Sequence, residues 1–299
     1  MSKLESISRY SLIVNRLQNR PSTFKEILTY LEKESEFQER DFSVSKRTFQ
    51  RDIREIFELF KIDITFNQSL KKYEILANEN NTNVNRLLET FDLFNALNLS
   101  ERMQEYVQFE IRKPQGTEHI QNIVKSIQKR KQIQFNYQKF WEDEISLRTT
   151  EPYLLKEFRN RWYLVAKDLK DNTIKTFGLD RLSNLEALTK TFTYPEKNII
   201  KNKFKYSFGV ITPSKKPLEK IILSFQPDQA KYIKTLPLHD SQKIDSETKD
   251  ACVFSFQLHP TYDFIQEILS FGETVTILSP QTLIEEVKKI YSESLEKYT

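Results

Sequence analysis

Arg159-Asn160-Arg161-Trp162-Tyr163-Leu164-Val165-Ala166 runs two arginines straight into an aromatic, strand-like segment. Successive side chains on a strand point to opposite faces. Trp162 and Leu164 therefore share one face, and Arg161 and Tyr163 share the other. The first pair can build a core. The second sets a guanidinium beside an aromatic ring, a combination that stacks on a base and pairs with a phosphate. A buried strand with Arg161 at a solvated edge satisfies the same pattern, so the octet alone leaves both readings open.

Glu151-Pro152-Tyr153 precedes the octet and Leu179-Asp180-Arg181-Leu182 follows it. With the Trp-Tyr-Leu triplet, these segments resemble the WYL domain of bacterial transcriptional regulators. The triplet by itself is unspecific. The combination is specific, because an N-terminal winged-helix pattern and a C-terminal α/β extension flank it in the order usual for that family, over nearly the whole chain. The resemblance implies an α+β multidomain protein. Residues 1–77 would form a winged helix-turn-helix, 78–116 a linker and helical connector, 117–192 an Sm-like β-barrel WYL sensor domain, and 193–299 a WCX-type extension.

Composition narrows the function. The 299 residues suffice for two or three domains, and 38% hydrophobic content supports cores of ordinary size. No apolar run approaches the roughly 18–20 residues of a membrane span. The start of the chain, with Lys3, Glu5 and Arg9, lacks a signal-peptide core. A single cysteine, Cys252, excludes an intramolecular disulfide. A cytoplasmic protein without membrane contact is the expectation. The net charge of +4 is too mild to argue for nucleic acid by itself, so the placement of basic residues must decide. The four glycines, Gly116, Gly178, Gly209 and Gly272, are too scattered for a dinucleotide fingerprint or a Walker-type loop.

The N-terminal region reads as three helices. Ile7, Leu12, Ile13 and Leu17 make an apolar set ended by Pro21; Ser22 or Thr23 can cap a second helix carrying Phe24, Ile27, Leu28 and Leu31. Ser45 can cap a third, running to about Phe60, in which Phe49, Ile53, Ile56 and Phe60 form one stripe. Arg47, Gln50, Arg51 and Arg54 recur at helical spacing on another face. Arginine can bind guanine edges bidentately, and glutamine can read adenine. Lys46 stands near the helix start, where charge and backbone donors favour phosphate. An ordinary amphipathic helix with a solvated basic face has the same pattern; the two preceding helices favour DNA recognition. Ile62, Ile64 and Phe66, a turn at Asn67-Gln68-Ser69, then Tyr73 and Ile75 predict a hairpin with Lys71 and Lys72 near its turn. The run Ser45–Ile53 is also similar to the recognition helices of WYL-family regulators. Double-stranded operator DNA is the expected partner.

Asn78–Asn83 marks a boundary, and Val84, Leu87, Leu88, Phe91, Phe94 and Leu97 make a helical stripe that could pack on its own chain or pair two subunits. A homodimer is expected.

In the sensor region, Ile120, Ile123, Val124 and Ile127 predict a helix, and Ile133, Phe135 and Tyr137 an alternating strand. Further strands are expected at Ser146–Thr150, Tyr153–Lys156, Arg161–Ala166 and Thr173–Leu179. Tyr137, Tyr153, Arg159, Arg161, Tyr163 and Arg181 are the candidate ligand residues. Tyrosines can stack and donate hydroxyls, and arginines can grip phosphate or carboxylate. Tyr153 after Pro152 equally suits a core, and Arg181 could simply pair with Asp180. The resemblance implies sensing of a nucleic-acid fragment or nucleotide, such as a single-stranded oligonucleotide, that alters DNA binding. Some family members carry a basic residue where Gly178 stands.

The last hundred residues read as strand Leu218–Phe225, helix Pro227–Lys234, strands Gln242–Ile244 and Cys252–Leu258, helix Tyr262–Phe271, strand Thr274–Leu278 and helix Leu283–Tyr291, a ferredoxin-like order. Enzymatic function finds little footing. His119, His239 and His259 are far apart, Cys252 with His259 makes neither a zinc site nor a marked dyad, and Glu142-Asp143-Glu144 suits a solvated turn. No catalytic residue, metal ligand or cofactor is expected. The reading is a homodimeric, ligand-responsive repressor. The alternative is an accessory or phage-defence protein whose WYL domain binds single strands as its main task.

Overall fold

The computed structural model describes residues 3–76, 116–196, 198–212 and 216–298. They fall into two units, Met1–Ile111 and Arg112–Thr299. The expected boundary at 78–83 and the stripe from Val84 to Leu97 lie outside the described residues.

In the first unit, Thr23 accepts from the Glu26 N–H at 3.2 Å while the Glu26 carboxylate accepts from the Thr23 N–H at 2.7 Å. This reciprocal cap starts α2 (Phe24–Gln38) just after α1 (Lys3–Asn19) has ended before Pro21. Ser45 caps α3 (Lys46–Phe60) by accepting from the Thr48 N–H at 3.2 Å. Ile13, Ile27, Leu31, Phe42, Phe49 and Ile56 are buried together, with Ile53 and Phe60 half-buried beside them. Strands β1 (Ile64–Asn67) and β2 (Lys72–Ile75) pair antiparallel, with Ile64 opposite Ile75 and Asn67 opposite Lys72. Ser22 extends this hairpin through two backbone hydrogen bonds with Tyr73, at 3.0 and 2.8 Å. The rings of Phe24, Phe49, Tyr73 and Phe66 follow one another at 5.3, 5.0 and 5.0 Å, tying the hairpin to α3.

In the second unit a 3-10 turn (Thr117–His119) leads into α4 (Ile120–Gln128), whose Ile123 is buried while Val124 faces solvent. Strands β3 (Lys131–Gln138), β4 (Ile145–Phe158), β5 (Arg161–Asp168), β6 (Thr173–Gly178) and β7 (Leu182–Thr191) form an antiparallel sheet in the order β6-β5-β4-β3-β7. Two expectations change here. Ser146–Thr150 and Tyr153–Lys156 belong to one fourteen-residue strand, kept continuous by a bulge between Pro152 and Leu154. In addition, β7 completes the sheet against β3, where no strand was expected. Ile123, Phe135, Leu164 and Phe177 fill one core, with Trp162 half-buried against it. Val165, Phe192, Ile200 and Phe204 fill another. Trp162 and Leu164 thus share a face as the octet predicted.

A short helix α5 (Ile199–Asn202) leads to β8 (Glu219–Phe225), α6 (Pro227–Thr235), β9 (Lys243–Glu247), β10 (Cys252–Leu258), α7 (Tyr262–Ser270), β11 (Val275–Ser279) and α8 (Gln281–Leu295). The sheet order is β11-β8-β10-β9. Leu223, Phe225, Phe254, Phe264, Ile268 and Leu283 make its core. The final helix runs four residues past the expected Tyr291.

Candidate nucleic-acid face and ligand cleft

Helical phase puts Phe49, Asp52 and Ile56 of α3 inside the first unit and leaves Arg47, Gln50, Arg51 and Arg54 exposed. The exposed set is not uniform. Gln50 Nε2 donates to the Tyr73 hydroxyl at 2.8 Å, so it is held against the hairpin. Arg51 Nε lies 3.5 Å from Glu55 Oε1, and Arg54 Nε donates to the Gln50 carbonyl at 3.4 Å. Lys46 and Arg47 are exposed at the N-terminal turn, and Ser45 is engaged as the cap. Lys71 sits exposed in the hairpin turn in a left-handed conformation, φ 55°. Lys72 is half-buried and close enough to Glu26 to help lower that carboxyl's pKa, behind the larger effect of the Thr23 hydrogen bonds.

What sets the angle of α3 was not read in the sequence. Arg9 Nε donates to Asp52 Oδ2 at 2.8 Å and Arg9 Nη2 to Oδ1 at 3.1 Å, and both side chains are 0% exposed. Tyr10 donates to Glu55 from the same helix α1, and burial, with that carboxylate beside it, pushes its hydroxyl up to about 12. The signal was present: Asp52 falls in phase with Phe49 and Ile56, and Arg9 with Ile13.

The second unit holds a cleft of about 670 Å³. Tyr137 of β3, Tyr163 of β5, Arg148, Lys175 and Arg181 line it together with Val210, Ile211 and Tyr262. Trp141, 75% exposed, lies at its rim. Burial raises the hydroxyl pKa of both Tyr137 and Tyr163, against the lowering effect of Arg181 on the first and Arg161 on the second. The Arg181 guanidinium lies 5.3 Å from the Tyr137 ring centre and 5.0 Å from that of Phe140. Arg161 is 5.8 Å from the same Phe140 ring and bonds Asp180 Oδ2 at 2.6 Å. Arg181 Nε is buried without a hydrogen-bond partner, 3.7 Å from Asp180 Oδ1. A buried donor of this kind favours an incoming acceptor. Gly178 makes room for this arrangement, since a Cβ there would come within 2.6 Å of Arg181 Nη2.

Four of the six ligand candidates therefore gather here: Tyr137, Tyr163 and Arg181 as walls, with Arg161 beside them. The other two do not. Tyr153 is the extra residue of the β4 bulge; its ring packs with Phe192 and Tyr194 at 5.7 and 5.6 Å, and its hydroxyl donates to Glu151. Arg159 occupies the β4–β5 turn with φ 47° and pairs with Glu267 of α7. Arg148, Lys175, Trp141 and Tyr262 were missed. Arg148 and Lys175 converge on Asp168, at 3.0 and 2.8 Å. Burial would raise the Asp168 carboxyl, but Lys175, the Lys170 N–H and Arg148 outweigh it and hold the pKa below the ordinary value.

Several of the residues weighed for catalysis have structural partners. Cys252 is buried in the C-terminal core, where desolvation raises its thiol pKa. His259 Nδ1 lies 2.9 Å from the Lys216 carbonyl, and Glu142 bonds Lys139 at 2.7 Å. Among the described residues, no group of three or more His, Cys, Asp or Glu could hold a metal ion, and no helix is long and apolar enough to cross a membrane.

Comparison with known families finds a WYL domain over residues 118–187 and a WCX domain over residues 217–294. No curated protein matches. Among solved structures, the chain is similar to proteasome accessory factor B/C (PafBC) of Arthrobacter aurescens, at 16% identity and TM-score 0.37, over 95% of this chain and 46% of that one. It therefore spans about half the length of that relative. It is also similar to a CRISPR Cas-related protein, at 15% identity and TM-score 0.40, over 98% of this chain and 84% of that one.

Proposed function

This chain is a WYL-domain protein that also carries a WCX domain, and from that premise we propose that it is a sequence-specific DNA-binding transcriptional regulator whose WYL domain senses a nucleic-acid fragment or nucleotide. In this reading residues 1–77 are a winged helix-turn-helix, 78–116 a connector, 117–192 an Sm-like barrel and 193–299 a ferredoxin-like WCX domain. The protein acts as a cytoplasmic homodimeric repressor, without catalysis. The observation that carries the DNA reading is the exposed α3 face of Arg47, Gln50, Arg51 and Arg54, braced from behind by a buried ion pair and from the side by the hairpin. Ser45 positions the helix start, Lys46 and Lys71 meet phosphates, and Lys72 stands beside the hairpin turn.

Selection from a random duplex library with the full chain should enrich an inverted repeat, as a dimeric reader requires. An Arg47→Ala/Arg51→Ala variant should lose that enrichment. In direct titration, Arg51→Ala should weaken the selected site by about 1–3 kcal/mol, while Lys71→Ala should weaken all duplexes alike and flatten the salt dependence. Equal profiles for the two variants would sink the division between base reading and phosphate contact.

The ligand reading rests on the cleft that combines Tyr137, Tyr163, Arg181 and Trp141. Aromatic rings beside cations, with Trp141 exposed among them, suit unpaired bases on a phosphate backbone. Replacing Trp141 with Ala should cost about 1–3 kcal/mol in affinity for a short single strand, read by fluorescence anisotropy of a labelled oligonucleotide. Unchanged affinity would remove Trp141 from the site. The same cleft supports the second reading, an accessory or phage-defence protein that binds single strands as its main task; duplex and single-strand affinities compared at matched salt separate the two.

A further inference from the structure

A second cleft, of about 560 Å³, opens in the Arg112–Thr299 unit and shares no lining residue with the first. Its walls come from three places: the end of β4 (Lys156, Phe158), α5 and the segment after it (Lys201, Phe204, Lys205, Ser207), and the loop between α6 and β9 (Leu238, His239, Asp240). Its volume is that of an ordinary small-molecule site.

The polar groups in it are unequally satisfied. Lys156 projects from a half-buried part of the sheet, and its ammonium lies 5.2 Å from the Phe204 ring centre without a hydrogen-bond acceptor among the described residues. Burial holds it below the ordinary lysine value, against the opposing pull of Asp240 and Asp263. Asp263 is occupied elsewhere, accepting from the Val210 and Ile211 N–H groups at 2.8 and 3.1 Å. Ser207 is 4% exposed and its hydroxyl oxygen is buried with no hydrogen-bond partner. Lys201 and Lys205 are exposed on the same rim. His239 is already committed: Nδ1 accepts from the Ser241 N–H at 3.1 Å, and the ring also bonds the Lys205 backbone. Desolvation holds its pKa below the ordinary value, against Asp240 and the Lys205 backbone bond. The carboxylate within the lining is the exposed Asp240. Three lysines against one aspartate leave the cleft cationic.

A half-buried ammonium and a buried hydroxyl that both lack partners are costly unless an acceptor arrives. We propose that this cleft binds a phosphate ester of nucleoside-monophosphate size, with Lys156 and Ser207 on the phosphate, Lys201 and Lys205 at the rim, and the Phe158 and Phe204 rings against the apolar body. Because its walls come from β4, from α5 and the segment after it, and from the α6–β9 loop, an occupant would pin the WYL sheet to the WCX domain. The site is independent of the oligonucleotide reading of the first cleft.

The test is calorimetric titration of the full chain with AMP, adenosine and inorganic phosphate, repeated on three variants. Lys156→Met keeps the apolar stem over Phe204 and removes the charge; Lys205→Ala changes an exposed side chain; Arg181→Ala alters the first cleft only. AMP should bind, and Lys156→Met should weaken it by about tenfold or more, the loss expected for a charge-assisted hydrogen bond. Lys205→Ala should weaken it less, phosphate should bind more weakly than AMP with the same dependence on Lys156, and Arg181→Ala should leave AMP binding as it is. Four results would overturn the site: no AMP binding up to about 10 mM, adenosine binding as tightly as AMP, wild-type affinity in both lysine variants, or loss of AMP binding in Arg181→Ala. The last would assign AMP to the first cleft.

Discussion

Replacing Asp52 with Ala is expected to remove about 3–5 kcal/mol from the first unit, the loss seen when one member of a buried ion pair is deleted. Arg9 and Asp52 meet through two hydrogen bonds and are fully excluded from solvent. Taking the carboxylate away leaves a guanidinium in an apolar interior with its main counter-charge gone. The two tryptophans, Trp141 and Trp162, both belong to the second unit, so urea unfolding can be followed separately. Far-UV circular dichroism would show the helices of the first unit melting at lower urea, while tryptophan fluorescence keeps its wild-type midpoint. A double change, Arg9→Met with Asp52→Leu, should recover much of the loss, since apolar residues of similar size often replace buried pairs without penalty. A wild-type dichroism midpoint in Asp52→Ala would mean that the pair contributes nothing. The stakes are functional, because the pair fixes the α3 face carrying Arg47, Gln50, Arg51 and Arg54.

The second large effect belongs to Asp168, which neutralises two cations lining the first cleft. Asp168→Asn should destabilise the second unit by about 3 kcal/mol, near the low end for a buried pair because Arg148 and Lys175 keep partial contact with water. The sign with pH follows from its lowered pKa. A carboxyl held below its unfolded value contributes stability that is full above about pH 4 and lost as pH falls through the folded pKa. The wild-type fluorescence midpoint in urea should therefore drop between pH 5 and acid conditions by more than that of Asp168→Asn, which has no proton to gain there. The variant should also gain affinity for polyanions at neutral pH, since Arg148 and Lys175 would face the cleft without their shared counter-charge. Parallel acid sensitivity in both proteins would remove Asp168 as the titrating group.

How far the sequence could be read varied with the regularity of the backbone. Helix α3 was legible because Phe49, Ile53, Ile56 and Phe60 keep helical spacing and Ser45 supplies a cap. Strand β3 was legible because Ile133, Phe135 and Tyr137 alternate without interruption. Strand β7 was not, since its register against β3 shifts twice and Asn184 takes φ 52°. Its leucines then recur every third residue, a spacing that suggests neither face of a strand. The same irregularity moved Tyr153 away from the cleft: alternation counted through Pro152 loses phase at the bulge. Arg159 left the face of Arg161 because it stands in the turn rather than the strand. Pair choices across long separations, such as Arg9 with Asp52 or Arg148 with Asp168, depend on tertiary packing, and burial phase marks only one member at a time.

The missing side chain at Gly178 ties two positions together over generations of sequence change. The guanidinium of Arg181 and the carboxylate of Asp180 together fill the space a Cβ would take. A basic residue arriving at 178 would thus push Arg181 off Tyr137 and Phe140 and shift Asp180 against Arg161. The two cations are alternatives for one place. A lineage that gains one should afterwards be free to lose the other, and the order of the two steps matters: losing Arg181 first empties the cleft of its stacked charge, whereas gaining the new residue first keeps a cation there throughout.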